Sequence, residues 1–198
     1  MFVQSKSLLV SLLICGASIA FTPDASVSQN LQNLQSPDRS KRRAAVRALE
    51  KLKPDQAKLI APKVIELATD QKVDRKIRLD AIYLLESLHR VSEAVIPTLI
   101  QLLNDKDFAI AEESSYTLME IGAPAIPALE KVARSKMLAQ SRLAVQTLRS
   151  IGPDSIPALI RLHDLKDARL SRYARVYLRS VLRRARRVKD KKALSLVV

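Results

Sequence analysis

Apolar residues recur along this chain with the 3.6-residue period of a helix. A small residue, a leucine four positions on and an aliphatic residue three further form one stripe of an α-helix. Five such sets occur: Ala45/Leu49/Leu52, Ala81/Leu85/Leu88, Ser114/Leu118/Ile121, Ala144/Leu148/Ile151 and Ala174/Leu178/Val181. Their leucines are 36, 33, 30 and 30 residues apart, so one unit repeats while its loops vary in length. A second ladder runs in phase with the first, as Ile96-Pro97-Thr98-Leu99, Ile126-Pro127-Ala128-Leu129 and Ile156-Pro157-Ala158-Leu159. Ile60-Ala61-Pro62-Lys63-Val64 is an earlier, less regular copy. A fixed period in this range marks a stacked array, because one short helical hairpin cannot bury its own apolar face and must share it with neighbours. No segment alternates in the manner of a strand between hairpin turns.

The spacing predicts helices over 27–35, 39–52, 55–68, 74–89, 93–103, 107–121, 124–134, 138–150, 154–163 and 167–188. Each unit reads as a leucine-striped A helix, a short turn, and a B helix with its proline in the first turn, where a missing amide hydrogen costs little. Gly122 and Gly152 follow Ile121 and Ile151, where a helix ending in a left-handed residue favours glycine. Polar clusters at 36–40 and 104–107 supply capping oxygens ahead of A helices.

The pattern Asp-x-x-x-Arg-x-x-Ala-x-x-x-Leu-x-x-Ile-Gly-x-x-x-Ile-Pro-x-Leu resembles the short HEAT-like repeat of the phycobilisome-lyase type, over roughly residues 36–182. Residues 141–152 carry the best copy and run directly into Ile156-Pro157-Ala158-Leu159. The resemblance implies an all-α fold, a right-handed α-solenoid of about five HEAT-like helical hairpins, with B helices lining the concave side. It does not fix a function, because such arrays serve many roles.

Residues 1–20 read differently. Lys6 precedes an apolar run from Leu8 to Ala20 that ends in Ser18-Ile19-Ala20, the grammar of a signal peptide cleaved after Ala20. The run is short for a bilayer span, which takes about 20 residues, so an uncleaved anchor is the lesser alternative. Lipoprotein processing at Cys15 fits poorly, since Ile14 stands where a small residue is expected. Cys15 is the only cysteine, so an exported mature chain would have no disulfide and no thiol nucleophile. The expected organisation is a signal peptide over 1–20, a linker and capping helix over 21–35, the solenoid over 36–188, and a tail over 189–198.

Charge adds a second asymmetry. The chain carries formal net +14, and from Arg161 to Val198 thirteen Lys or Arg face only Asp164, Asp167 and Asp190. In the last helix Arg172, Arg175, Arg179, Arg183 and Arg186 follow steps of 3 and 4, which stacks them on one face beside Arg184 and Arg187. Such a stripe suits an anionic lipid or envelope polymer, or serves as the polar cap every array needs. Sparse aromatics and an exported setting argue against nucleic acid.

Helical geometry also places one residue per B helix away from the core, four after each proline: Glu66, Gln101, Lys131 and Arg161. They grade from acidic to basic and form the expected concave-face ladder for a protein partner. Tyr83 and Tyr116 hold equivalent positions in successive A helices, so they should lie side by side as docking aromatics or as covers of the seam between repeats.

Catalytic and metal signals are weak. His89 is followed by Arg90 and His163 by Asp164, so the His-Glu pairs through which HEAT-like deoxyhypusine hydroxylases bind iron are not carried over. Glu112 and Glu113 point about 100° apart on a helix, and no phosphate loop or nucleophile elbow occurs. The expectation is a non-catalytic exported adaptor without cofactor. A charge-driven membrane or cell-envelope binder is the alternative, and a phycobilin-lyase-like or other HEAT-repeat enzyme the minor one.

Overall fold

A computed structural model describes residues 24–165 and 167–187. The segment 1–20, read above as a signal peptide, and the tail 189–198 lie outside the described residues. Among the described residues ten α-helices follow one another: α1 Ala25–Leu34, α2 Arg39–Leu49, α3 Pro54–Thr69, α4 Arg75–Leu88, α5 Val95–Leu102, α6 Phe108–Ile121, α7 Ile126–Ala133, α8 Leu138–Ile151, α9 Ile156–His163 and α10 Ala168–Arg187. Every helix matches a predicted one within a few residues. The described residues contain no strand.

Two layers result. The A helices α2, α4, α6, α8 and α10 pack in chain order, as do the B helices α3, α5, α7 and α9, and α1 lies along α2 at the start of the array. Among helices adjacent in the chain, the extensive pairs are α1 with α2, α3 with α4, α5 with α6, α7 with α8, and α9 with α10. The packing hairpin is thus a B helix with the A helix that follows it, one step out of register with the A-then-B unit of the sequence motif. Leu49, Leu85, Leu118 and Leu148 are at most 1% exposed, and Leu99, Leu129 and Leu159 meet them from the B layer with no exposure at all. One continuous core runs through all the repeats.

Capping explains where the A helices begin. Asp38, Asp74 and Asp107 accept hydrogen bonds from amides in the first turns of α2, α4 and α6, and Asp167 does so for α10. These aspartates are spaced as the stripe leucines are, with one omission: Met137 caps α8, makes no side-chain bond and is half exposed. Its extended backbone (φ −73°, ψ 102°) suits an aspartate. Met137→Asp is therefore expected to stabilise the protein by about 0.5–2 kcal/mol, read as a rise in the urea midpoint with an unchanged m value. No change in midpoint would place the start of α8 under other control.

The turns depart from expectation in two places. Gly122 and Gly152 have φ of 74° and 92° with ψ of −130° and −139°, the mirror image of extended backbone and not the left-handed helical region. That region is open essentially to glycine alone. A Cβ would meet nothing within 4 Å at Gly152, so backbone conformation and not space selects the residue. Each glycine leads into a 3₁₀ turn, Ala123–Ala125 or Pro153–Ser155, from which α7 and α9 start. Pro97, Pro127 and Pro157 sit in first turns as predicted, but Pro62 lies inside α3, which runs on through it to Thr69. Its missing amide leaves the Lys58 carbonyl without its usual partner.

Arg42 and Arg78 occupy the same position in α2 and α4 and are almost fully buried. Arg78 donates from Nε to the Ala68 carbonyl at the end of α3 (3.0 Å) and from Nη2 to Asp105 in the turn before α6. Arg42 donates to the Ser36 and Pro37 carbonyls and, at 2.6 Å, to Asp80 of α4. Each arginine therefore ties a helix end to the next repeat. The equivalent residue of α6 is Ala111, but in α8 Ser141 bonds the Ala133 carbonyl at 2.6 Å and in α10 Ser171 bonds His163 Nδ1 at 3.1 Å, so only the tie to the preceding helix end returns.

Candidate functional surfaces

Glu66, Gln101, Lys131 and Arg161 are all exposed, one on each of α3, α5, α7 and α9. The acidic-to-basic order is present, but both ends are engaged. Glu66 accepts from Lys63 Nζ at 2.7 Å on its own helix. Arg161 grips Glu130 of α7 through two nitrogens, Nε at 3.0 Å from Oε1 and Nη2 at 2.7 Å from Oε2. Arg134 holds the same carboxylate at 2.7 Å. Hydrogen bonding from Arg161, reinforced by Arg134, keeps the Glu130 carboxyl below the usual glutamate range and pushes the Arg161 guanidinium up. Lys131 makes no ion pair among the described residues and Gln101 beside it is uncharged. The middle of the ladder is therefore the part available to a partner.

Tyr83 and Tyr116 stand on the outer side of α4 and α6, 45% and 51% exposed. Their setting is acidic: the charge on Glu50 raises the Tyr83 phenol, and Glu120 does the same to Tyr116, each also accepting a hydrogen bond. Both phenols remain protonated donors. One turn before Tyr116, Glu113 is partly buried; desolvation, then Glu112 and Asp80, push its carboxyl upward. The two tyrosines thus sit within a belt of carboxylates, which sequence spacing alone did not reveal.

On α10 the predicted arginines Arg172, Arg175, Arg179, Arg183 and Arg186 are all exposed, while Ala174, Leu178 and Val181 are buried beneath them. The charge repulsion along the stripe is thus offset by apolar packing on α8 and α9. Among the described residues no helix is long and apolar enough to cross a membrane. Sequence reading missed Arg149, at the end of α8, whose guanidinium carbon lies 5.4 Å from the centre of the Tyr177 ring. It also missed Phe108, 73% exposed at the head of α6, where α2 and α4 begin with Arg39 and Arg75. That break in the repeat was the available signal. A cleft of about 530 Å³ opens beside Phe108, walled by Leu103, Lys106, Glu112 and Arg142.

Stacked two-helix units with a shared core and an exposed position on each B helix define a helical-repeat solenoid, a class whose surfaces serve as binding scaffolds. Residues 61–149 match the family model for HEAT repeats, and the fold is that of a HEAT-like helical-repeat solenoid. No curated protein sequence matches the chain. Among solved structures it is similar to an engineered protein (20% identity, 77% of this chain and 78% of that one, TM-score 0.40). It is also similar to a designed armadillo repeat protein (16%, 77% and 80%, 0.40). Computationally designed armadillo repeat proteins for modular peptide recognition match at 16% identity over 86% of this chain and 90% of that one, with a TM-score of 0.37.

Proposed function

We propose that the protein is an exported, non-catalytic adaptor that docks a protein partner along its B-helix surface while α10 contacts an anionic surface. The carrying observation is the register of Glu66, Gln101, Lys131 and Arg161, one exposed position on each of four successive B helices. A partner crossing them meets one side chain per repeat, so a single extended segment gains a contact from each unit. The ion pairs at either end fix the outer two side chains and leave Lys131 as the free charge of the ladder. An acidic segment laid across α5 and α7 complements it.

Crosslinking capture of the exported chain tests this reading. Gln101→Glu/Lys131→Glu is expected to lose the captured protein by tenfold or more, on the order of 1.4 kcal/mol. A chain ending at Val181 should keep most of it. Intact mass of the same preparation reads export directly, since cleavage after Ala20 leaves Phe21 as the first residue. If the truncation abolishes capture and the B-helix pair does not, the charge-driven envelope binder is the better description, and the repeats merely display α10.

A further inference from the structure

The exposed arginines of α10 do not all lie on its outer stripe. One set turns toward the end of α8 and, with Arg149, lines a cleft of about 600 Å³. Arg149, Arg183, Arg184 and Arg187 surround it, and the Ser180 hydroxyl lies on its wall. A smaller cleft of about 260 Å³ continues past Ser150 and Gly152 at the foot of α8. Among the described residues none of these four arginines makes an ion pair. The same chain gives other arginines a carboxylate partner, at Arg42, Arg78 and Arg161. Four guanidinium groups brought together across two helices without a carboxylate form a site of strong positive potential in a concave setting, which concentrates anions.

Chemistry narrows the anion. Guanidinium forks bind tetrahedral oxyanions through paired N–H donors, and several forks suit a group that offers several oxygens, as phosphate does. Stacking of Arg149 against Tyr177 limits the freedom of that side chain before a ligand arrives. Val176, 56% exposed, lies with Tyr177 on the same cleft, so an apolar strip runs next to the charged groups. A phosphate ester that carries a short apolar or glycerol portion satisfies both halves.

The geometry points to a phosphate-ester site between the end of α8 and α10, built by Arg149, Arg184 and Arg187 with Ser180, whose ligand is a glycerophosphate headgroup. The inference rests on the reading of α10 as the anion-facing element and deepens it. It shifts recognition from the outer stripe of Arg172, Arg175 and Arg179 to the cleft behind it.

The test uses the full chain and two probes, soluble glycerol 3-phosphate followed by calorimetry, and phosphatidylcholine vesicles with or without phosphatidylglycerol followed by co-sedimentation. Arg149→Gln/Arg184→Gln and Arg172→Gln/Arg175→Gln remove equal charge from the cleft and from the outer face. The cleft pair should weaken glycerol 3-phosphate binding at least about tenfold. The outer pair should weaken it less than about threefold at physiological salt, where charges out of contact with the ligand are screened. Thermal unfolding of both variants checks that the fold is intact. The soluble probe should also displace the protein from phosphatidylglycerol vesicles. Equal losses in the two variants would overturn the cleft while leaving α10 as a diffuse anion-facing surface. Binding of glycerol 3-phosphate without vesicle binding would keep the cleft and remove the anionic-surface reading. Failure of the unmodified chain to bind either probe overturns both.

Discussion

Arg78→Ala is expected to destabilise the protein by about 3–5 kcal/mol, because it leaves the Asp105 carboxylate buried without its cation. Both side chains of this pair are less than 10% exposed. Burial alone would raise the Asp105 carboxyl, yet the hydrogen bond from Arg78 and that from the Asp107 amide outweigh it and hold the group below its ordinary value. The sign of the pH dependence follows. A carboxyl depressed in the folded state is protonated first in the unfolded chain, so its stabilisation is full above the ordinary carboxylate range, near pH 4, and is lost as pH falls through the folded value. In Arg78→Ala the same carboxyl has lost its cation, and acid relieves it. The gap in unfolding free energy between variant and parent should therefore be widest near pH 7 and narrow toward pH 4. Urea unfolding at the two pH values measures it. A double variant with Asp105→Asn should recover at least about 1 kcal/mol, since the two residues act as a unit. A gap independent of pH, or strictly additive losses, would mean that the Ala68 carbonyl and not Asp105 is what Arg78 serves.

That pair also shows where sequence reading stops. The stripe of Ala81, Leu85 and Leu88 was legible because a helix converts spacing directly into a face, and all three are buried. Arg78 lay in plain sight within the repeat pattern, but its partners are 10 and 27 residues away, and nothing local fixes how far one repeat is offset from the next. Arg161 makes the same point at the candidate site: its exposure followed from periodicity, while its engagement by Glu130, 31 residues earlier, depended on the distance between α7 and α9. Pro62 falls inside the helix predicted over 55–68, unlike the first-turn prolines of the later repeats, and packing of α3 against α4 and α5 outweighs its missing hydrogen bond. The cleft at α8 and α10 needed the crossing of two helices to bring Arg149 beside Arg184. Periodicity predicts which side of one helix faces out; it does not predict what two neighbouring helices enclose.

Leu118→Ala is the core counterpart, with an expected cost of about 2–5 kcal/mol. Leu118 is fully buried in α6, the central A helix, which packs on α4 toward one end of the array and on α8 toward the other. Stability in such an array is nearly a sum of repeat terms and nearest-neighbour interfaces. A cavity in the middle weakens two interfaces at once and uncouples α1–α5 from α7–α10. Urea unfolding should then broaden into two steps, with an apparent m value below that of the parent. Leu178→Ala is the control, because α10 ends the described array and Leu178 retains 8% exposure, so it should cost less and leave the transition single. A sharp single transition for Leu118→Ala, with a loss no greater than that of Leu178→Ala, would show that the repeats unfold as one block and that no interface is separable. The distinction bears on binding, because Gln101 and Lys131 lie on either side of α6 in the chain, on α5 and α7. A partner that bridges them couples the two halves through the B layer. Its addition should therefore restore a single transition in Leu118→Ala, by favouring the state in which both halves are folded and adjacent.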